Sequence, residues 1–151
     1  MRIYVASSWR NQVQPVLVDL LIAHGHEVYD FRNHTDPRAP EPHVFAWTEI
    51  SEDWQAWTPR QYLSAIAHNV DGFECDMEGL EWCDLAVLCL PCGRSAHLEA
   101  GWAKGQGKRL FILLSEADFV PELRRMYLMA DGIFPDARRL VKALADVEAG
   151  A

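Results

Sequence analysis

An open, doubly wound parallel α/β sheet of about five strands, folded as one domain over residues 1–151, is the architecture this chain predicts. Three observations predict it. Short apolar runs rich in strand formers recur at 2–6, 26–31, 84–90 and 109–114, with a shorter one near Ile133. Stretches with helical start and stop signals separate them. The run at 84–90 is almost wholly apolar, the pattern of a strand covered on both faces.

The elements follow in chain order. Ile3, Tyr4 and Val5 are consecutive strand formers. Residues 14–24 read as a helix, with Pro15 in its first turn and Gly25 just past its end. Residues 26–31 form the second strand. Residues 32–46 hold Pro37, Pro40 and Pro42 and make a loop longer than a plain connector, the kind that often carries function. Thr58-Pro59 is a cap followed by a first-turn proline and opens a helix to about Ala67; a further helix covers 72–82. After the strand at 84–90, Ser95 caps a helix over 96–104. Strand 109–114 and helices at 121–129 and 136–147 complete the chain.

Alternating strands and helices imply right-handed crossovers and a parallel sheet. With the first crossover and the later ones on opposite faces, the simplest order is flavodoxin-like. Ligands of such sheets bind beyond the carboxyl ends of the strands, where the order reverses. Here that switch point lies between the strands at 2–6 and 84–90. Ala6-Ser7-Ser8-Trp9 should therefore face Pro91-Cys92-Gly93-Arg94-Ser95.

Composition excludes several roles. The net charge is −8 and no Lys/Arg run is present, which argues against a nucleic acid polymer as partner. No apolar stretch reaches membrane-spanning length, so no membrane is expected. The first strand begins at Arg2 and leaves no room for a signal peptide. Cys75, Cys83, Cys89 and Cys92 are then expected as free thiols in a reducing cytoplasm. Cys89-Leu-Pro-Cys92 is a lone CxxC pair without a second pair or histidines at ligand spacing, so neither a metal nor another cofactor is expected.

Chemistry-bearing residues gather at the predicted switch point. Glu99 sits in the first turns of the helix after the central strand, where the helix dipole favours an ionised carboxylate. That suits a nucleophile; it equally suits an acidic residue placed only for the dipole. Gly93-Arg94-Ser95 can cradle an anion through backbone N–H groups, or be an ordinary turn and cap. Asp76 can act as acid or base, or face solvent on its helix. The Tyr4 hydroxyl needs a partner if it is buried. Trp47, Trp54 and Trp57 offer a flat wall for a planar ligand, or pack a helix or a subunit contact. His97 is the one histidine beside the site and reads as structural.

Ile3-Tyr4-Val5-Ala6-Ser7-Ser8-Trp9 resembles the first strand and loop of the nucleoside 2-deoxyribosyltransferases. Asp84 to Pro91, then Ser95, then Glu99-Ala100-Gly101-Trp102-Ala103, then Gly107-Lys108 resembles their central strand, nucleophile helix and following turn. The order and spacing cover most of the chain from 2 to 114.

The resemblance implies that Glu99 attacks the anomeric carbon of a nucleoside or nucleotide and forms a covalent glycosyl-enzyme. A second base or water then takes the sugar, in parallel with retaining glycoside hydrolysis. It also implies that Asp76 exchanges a proton with the base and that Tyr4 orients the nucleophile. Ser7, Ser8, Trp9, Gly93, Arg94, Ser95 and Trp47 are the expected substrate contacts, with the segment 45–57 closing over the base. A homo-oligomer is expected, because family sites are completed by a neighbouring subunit. Met126, Tyr127 and Met129 are candidates for that contact; with Leu123, they can instead form a buried helix face. Two departures bear on the reaction. Nothing between Leu90 and Glu99 is acidic, where the family often carries a carboxylate to the sugar 5′-hydroxyl, and Arg94 stands there instead. Ala6 replaces a glycine. Three readings follow: deoxyribosyl transfer, hydrolysis of a deoxynucleoside 5′-monophosphate, or a non-catalytic nucleotide-binding module.

Overall fold

In a computed structural model, which describes residues 1–32, 54–67, 70–115 and 125–150, the apolar runs become five parallel strands. These are β1 (Arg2–Ala6), β2 (Glu27–Tyr29), β3 (Leu85–Cys89), β4 (Arg109–Leu113) and β5 (Gly132–Phe134). Their order across the sheet is β2-β1-β3-β4-β5, the predicted flavodoxin-like arrangement. Every residue of the central β3 is buried, as its unbroken apolar sequence requires. The helices among the described residues are α1 (Val13–Ala23), α2 (Pro59–Ala67), α3 (Val70–Trp82), α4 (Arg94–Gly105) and α5 (Ala137–Glu148).

The two-residue period of the strands divides the side chains between two faces. Ile3, Val5, Leu85, Val87, Cys89, Phe111 and Leu113 form one cluster with Leu17, Val18 and Leu21 of α1 and Leu140 and Leu144 of α5. The alternate residues, including Tyr4, Ala86, Leu88 and Ile112, are buried too. The Tyr4 face carries α4, which buries Ala96, Ala100 and Ala103; alanines at this spacing let a helix lie close to a sheet.

The turns that deliver the chain back to the sheet share one device. Past α1, Gly25 has φ +84°, its N–H bonds to Ile22 O, and His26 N–H bonds to Leu21 O. Past α4, Gly107 has φ +79°, its N–H bonds to Lys104 O, and Lys108 N–H bonds to Ala103 O. Glycine takes the left-handed conformation without a Cβ penalty, and the paired bonds satisfy the last helical carbonyls. Lys108 then donates from Nζ to Glu81 O at 2.8 Å and Cys83 O at 2.5 Å, closing the end of α3 against β4.

Some boundaries differ from expectation. The second strand is three residues long, not six. The helix expected to start after a Ser95 cap starts at Arg94, with extended Gly93 as its N-cap and no side-chain cap bond. Ser95 is instead the second helical residue. The expected helix at 121–129 appears as a 3₁₀ turn over Arg125–Met129; residues 121–124, with Leu123, lie outside the described residues. Met126 is 66% exposed there, so the buried-face alternative fails for it.

By its contacts the chain divides into two compact units, residues 1–30 with 80–151, and residues 31–79. The first holds the sheet. The second contains a 3₁₀ turn over Trp54–Ala56, α2 and most of α3. The start of α2 carries a capping box: Thr58 Oγ1 accepts from Gln61 N, and Gln61 Oε1 accepts from Thr58 N at 2.9 Å. No helix among the described residues is long and apolar enough to cross a membrane.

Candidate functional site

The site is built where β1 and β3 run side by side and the strand order reverses. Tyr4, third residue of β1, is 1% exposed. Its hydroxyl donates to Glu99 Oε2 at 3.2 Å, which supplies the partner a buried phenol needs. The neighbouring strand contributes Tyr29, paired with Tyr4 in register, whose ring stacks on the Tyr4 ring at 4.9 Å with 8° between the planes. The phenol is thus held by its strand, by a stacked ring and by a carboxylate.

Glu99 is the sixth residue of α4, because the helix starts two residues earlier than its serine suggests. The dipole effect falls off beyond the first turn. Glu99 Oε2 accepts from the buried Tyr4 hydroxyl at this position. Glu99 is half-buried.

The loop after β1 is tied to Cys89, the last residue of β3. Ser7 Oγ donates to Cys89 O at 2.8 Å. Asn11 Nδ2 donates to Ser7 Oγ at 2.9 Å and to Cys89 O at 3.1 Å. With its proton committed to Cys89 O, the Ser7 hydroxyl offers a ligand acceptor capacity only. Ser8 is half-buried and its Oγ accepts from Arg10 N at 3.3 Å. Trp9 is 46% exposed at the tip of this loop. Opposite, Gly93, Arg94 and Ser95 are all exposed at the start of α4. Neither Arg94 nor Arg10 forms an ion pair with a carboxylate among the described residues.

His97 is structural. Its Nδ1 lies 2.8 Å from Gly93 O, which accepts only, so that nitrogen carries the proton. Nε2 then accepts from the Tyr127 hydroxyl at 2.9 Å, tying α4 to the 3₁₀ turn. Cys92 Sγ lies 3.6 Å from the same Nδ1. All four cysteines are free thiols, and burial pushes the Cys83 thiol above its usual range. Among the described residues no group of three His, Cys, Asp or Glu is placed to hold a metal ion.

Asp76 belongs to the other unit, where it is half-buried on α3. Trp57 is half-buried in that unit, after the 3₁₀ turn that contains Trp54. Trp47, and with it most of the proposed 45–57 lid, lies outside the described residues. Three residues escaped the sequence reading: Asn11, Tyr29 and Arg10. Asn11 had a usable signal, since an asparagine just before an apolar helical pattern is a capping residue. The pairing of Tyr4 with Tyr29 needs the strand register, which no local pattern supplies.

No protein-family model matches the chain, and no curated protein matches it significantly. Solved structures do match it. A 2-deoxyribosyltransferase from Bacillus psychrosaccharolyticus superposes with a TM-score of 0.58 at 19% identity, over 93% of this chain and 90% of that one. A conserved protein from Enterococcus faecalis V583 gives 0.55 at 13% identity, over 94% and 95%. The CMP N-glycosidase of Clostridium botulinum gives 0.48 at 18% identity, over 96% and 99%. At such identities the likeness is one of fold: this chain shares the architecture of a 2-deoxyribosyltransferase over nearly its whole length.

Proposed function

We propose that this protein breaks the N-glycosidic bond of a deoxynucleoside or deoxynucleotide through a covalent glycosyl-glutamate, and passes the sugar to a second base. The observation that carries this reading is the hydrogen bond from buried Tyr4 to Glu99 beside the switch point. The sequence resemblance around both residues, and the shared fold, support it. In the first half-reaction a Glu99 carboxylate oxygen bonds to the anomeric carbon as the C–N bond breaks. The bonding pair leaves with the base, which takes a proton from Asp76. In the second, a new base attacks the same carbon, Asp76 recovers a proton from it, and Glu99 departs. Two displacements at one carbon retain its configuration.

Arg10 and Arg94 favour a second reading, in which water replaces the acceptor base and the substrate is a 5′-monophosphate. One exposed guanidinium stands on each loop of the switch point, without a carboxylate partner among the described residues. Such groups form paired hydrogen bonds with phosphate oxygens. The protein is further proposed to work as a homo-oligomer; Leu98, Met126 and Leu128, at 76%, 66% and 85% exposure, are the apolar surface that supports it. A fully active monomer by light scattering at assay concentration would remove that part.

The decisive experiment incubates the protein with deoxynucleosides and their monophosphates, each with and without a second base. Base exchange on unphosphorylated nucleosides supports the transferase. Base release from monophosphates alone, abolished as a preference by Arg94→Ala, supports the hydrolase. No base release from any of them contradicts both and leaves the binding module.

A further inference from the structure

Asn11 is a polar residue only 2% exposed, and both polar atoms of its side chain are hydrogen-bonded. Its backbone N–H closes a turn on Ser8 O at 2.9 Å. Its Oδ1 accepts from the N–H of Val13, the first residue of α1, at 2.8 Å. Its Nδ2 donates to Ser7 Oγ and Cys89 O and lies 3.5 Å from Cys89 Sγ. One amide thus joins the loop after β1, the start of α1 and the last residue of β3. That loop carries Trp9 and Arg10, both exposed, whereas Glu99 is held separately by Tyr4.

We propose that Asn11 is a positioning residue that fixes the loop at 7–10 against the end of β3 and so sets substrate affinity, leaving the rate of bond breaking to Glu99. The proposal rests on the glycosidic reading above for its substrate. A loop that binds the sugar or base equally in ground and transition states contributes to KM and little to kcat. The two uses of the side chain separate chemically. Asn11→Asp keeps the oxygen that accepts from Val13 N, but turns the donor into a carboxylate oxygen facing Cys89 O and Ser7 Oγ. Asn11→Ala loses both.

The test measures base release, melting temperature and cysteine alkylation by iodoacetamide, the last mapped to peptides by mass spectrometry. Asn11→Asp should raise KM roughly tenfold and leave kcat within about twofold, the scale of one buried hydrogen bond lost. Cys89, fully buried beneath the Asn11 amide, should become alkylated in the folded variant while staying protected in the wild type. As pH falls and the introduced carboxyl regains a proton, it can donate again, and KM relative to wild type should recover. Asn11→Ala should melt below Asn11→Asp yet share its raised KM. A KM that tracks melting temperature, an unchanged KM with lowered kcat, or Cys89 protection equal to wild type would each overturn the proposal. If the wild type releases no base from any substrate, the glycosidic reading fails instead, and the Cys89 labelling still decides whether Asn11 holds the loop.

Discussion

At the N-terminal end of the sheet, charged side chains meet partners; at the C-terminal end, two of them wait. Arg2 grips Asp84 through its guanidinium and its backbone N–H, and lies 5.8 Å over the Trp82 ring. Lys104 reaches both oxygens of Asp131 at 2.8 Å, and Lys108 closes the end of α3. The Arg2 guanidinium holds the Asp84 carboxyl below the usual carboxylate range. Burial pushes Asp131 up, but the Lys104 ammonium and the Leu110 N–H together bring it below that range. At the other end, amide and hydroxyl groups fix the loop after β1 to the end of β3, while Arg10 and Arg94 are exposed and meet no carboxylate among the described residues. Charged residues staple one end of the sheet; at the other, under the proposed function, they are left to meet a ligand. Changes at the working end should therefore alter turnover with little loss of stability, and changes at the stapled end the reverse.

The largest effect is expected at Glu99. Glu99→Gln keeps an oxygen to accept from Tyr4 and should keep the fold, while base release falls by several orders of magnitude, about 10³-fold or more on the scale of lost nucleophiles. Near-normal turnover would remove the nucleophile assignment and with it the contrast between the ends. Next is Asp76→Asn, which should slow poor leaving bases by about 10²–10⁴-fold and good ones much less. Equal loss across a leaving-group series argues against proton transfer. Tyr4→Phe removes the Glu99 hydrogen bond and keeps the ring that stacks on Tyr29; kcat should fall roughly tenfold. A kcat equal to wild type would show that the carboxylate is oriented by other means.

The stapled end should answer more quietly. Asp84→Asn should lower the melting temperature slightly and leave KM and kcat unchanged, because exposed ion pairs contribute little. A large change in KM would mean that the two ends are coupled. The smallest effect is a pH dependence. Burial lowers the His26 pKa below 6.5, against the pull of Glu148. The unfolded chain then takes up its proton first, so stability is intact above pH 6.5 and declines as pH falls from there toward the folded pKa. Melting curves between about pH 5 and 8 should show this slope, and His26→Gln should flatten it.

Much of this contrast was legible in the sequence, and the losses have physical causes. Strands β1, β3 and β4 announce themselves because burial on both faces demands unbroken apolar runs. β2 shrank because it is an edge strand, paired on one side alone. The helix start was misplaced because Ser95 looks like a cap, whereas extended Gly93 serves without a side chain. That shift puts Glu99 at the sixth residue of α4, past the first turn where the dipole acts most. Tyr4, Glu99 and Asp76 acquired roles only through the family resemblance; spacing alone leaves each of them neutral. Asn11 was passed over because the helix was read from Gln14, whereas α1 starts at Val13, whose N–H donates to the Asn11 side chain.

The central claim is that Glu99 takes the sugar. Its most direct test is mass spectrometry of the intact protein and its peptides, quenched during turnover of a deoxynucleoside or its monophosphate. A deoxyribosyl adduct on the peptide containing Glu99, absent from Glu99→Gln and discharged on adding a second base, is the predicted result. Steady turnover with no adduct on that peptide, or an adduct that persists in Glu99→Gln, would contradict it.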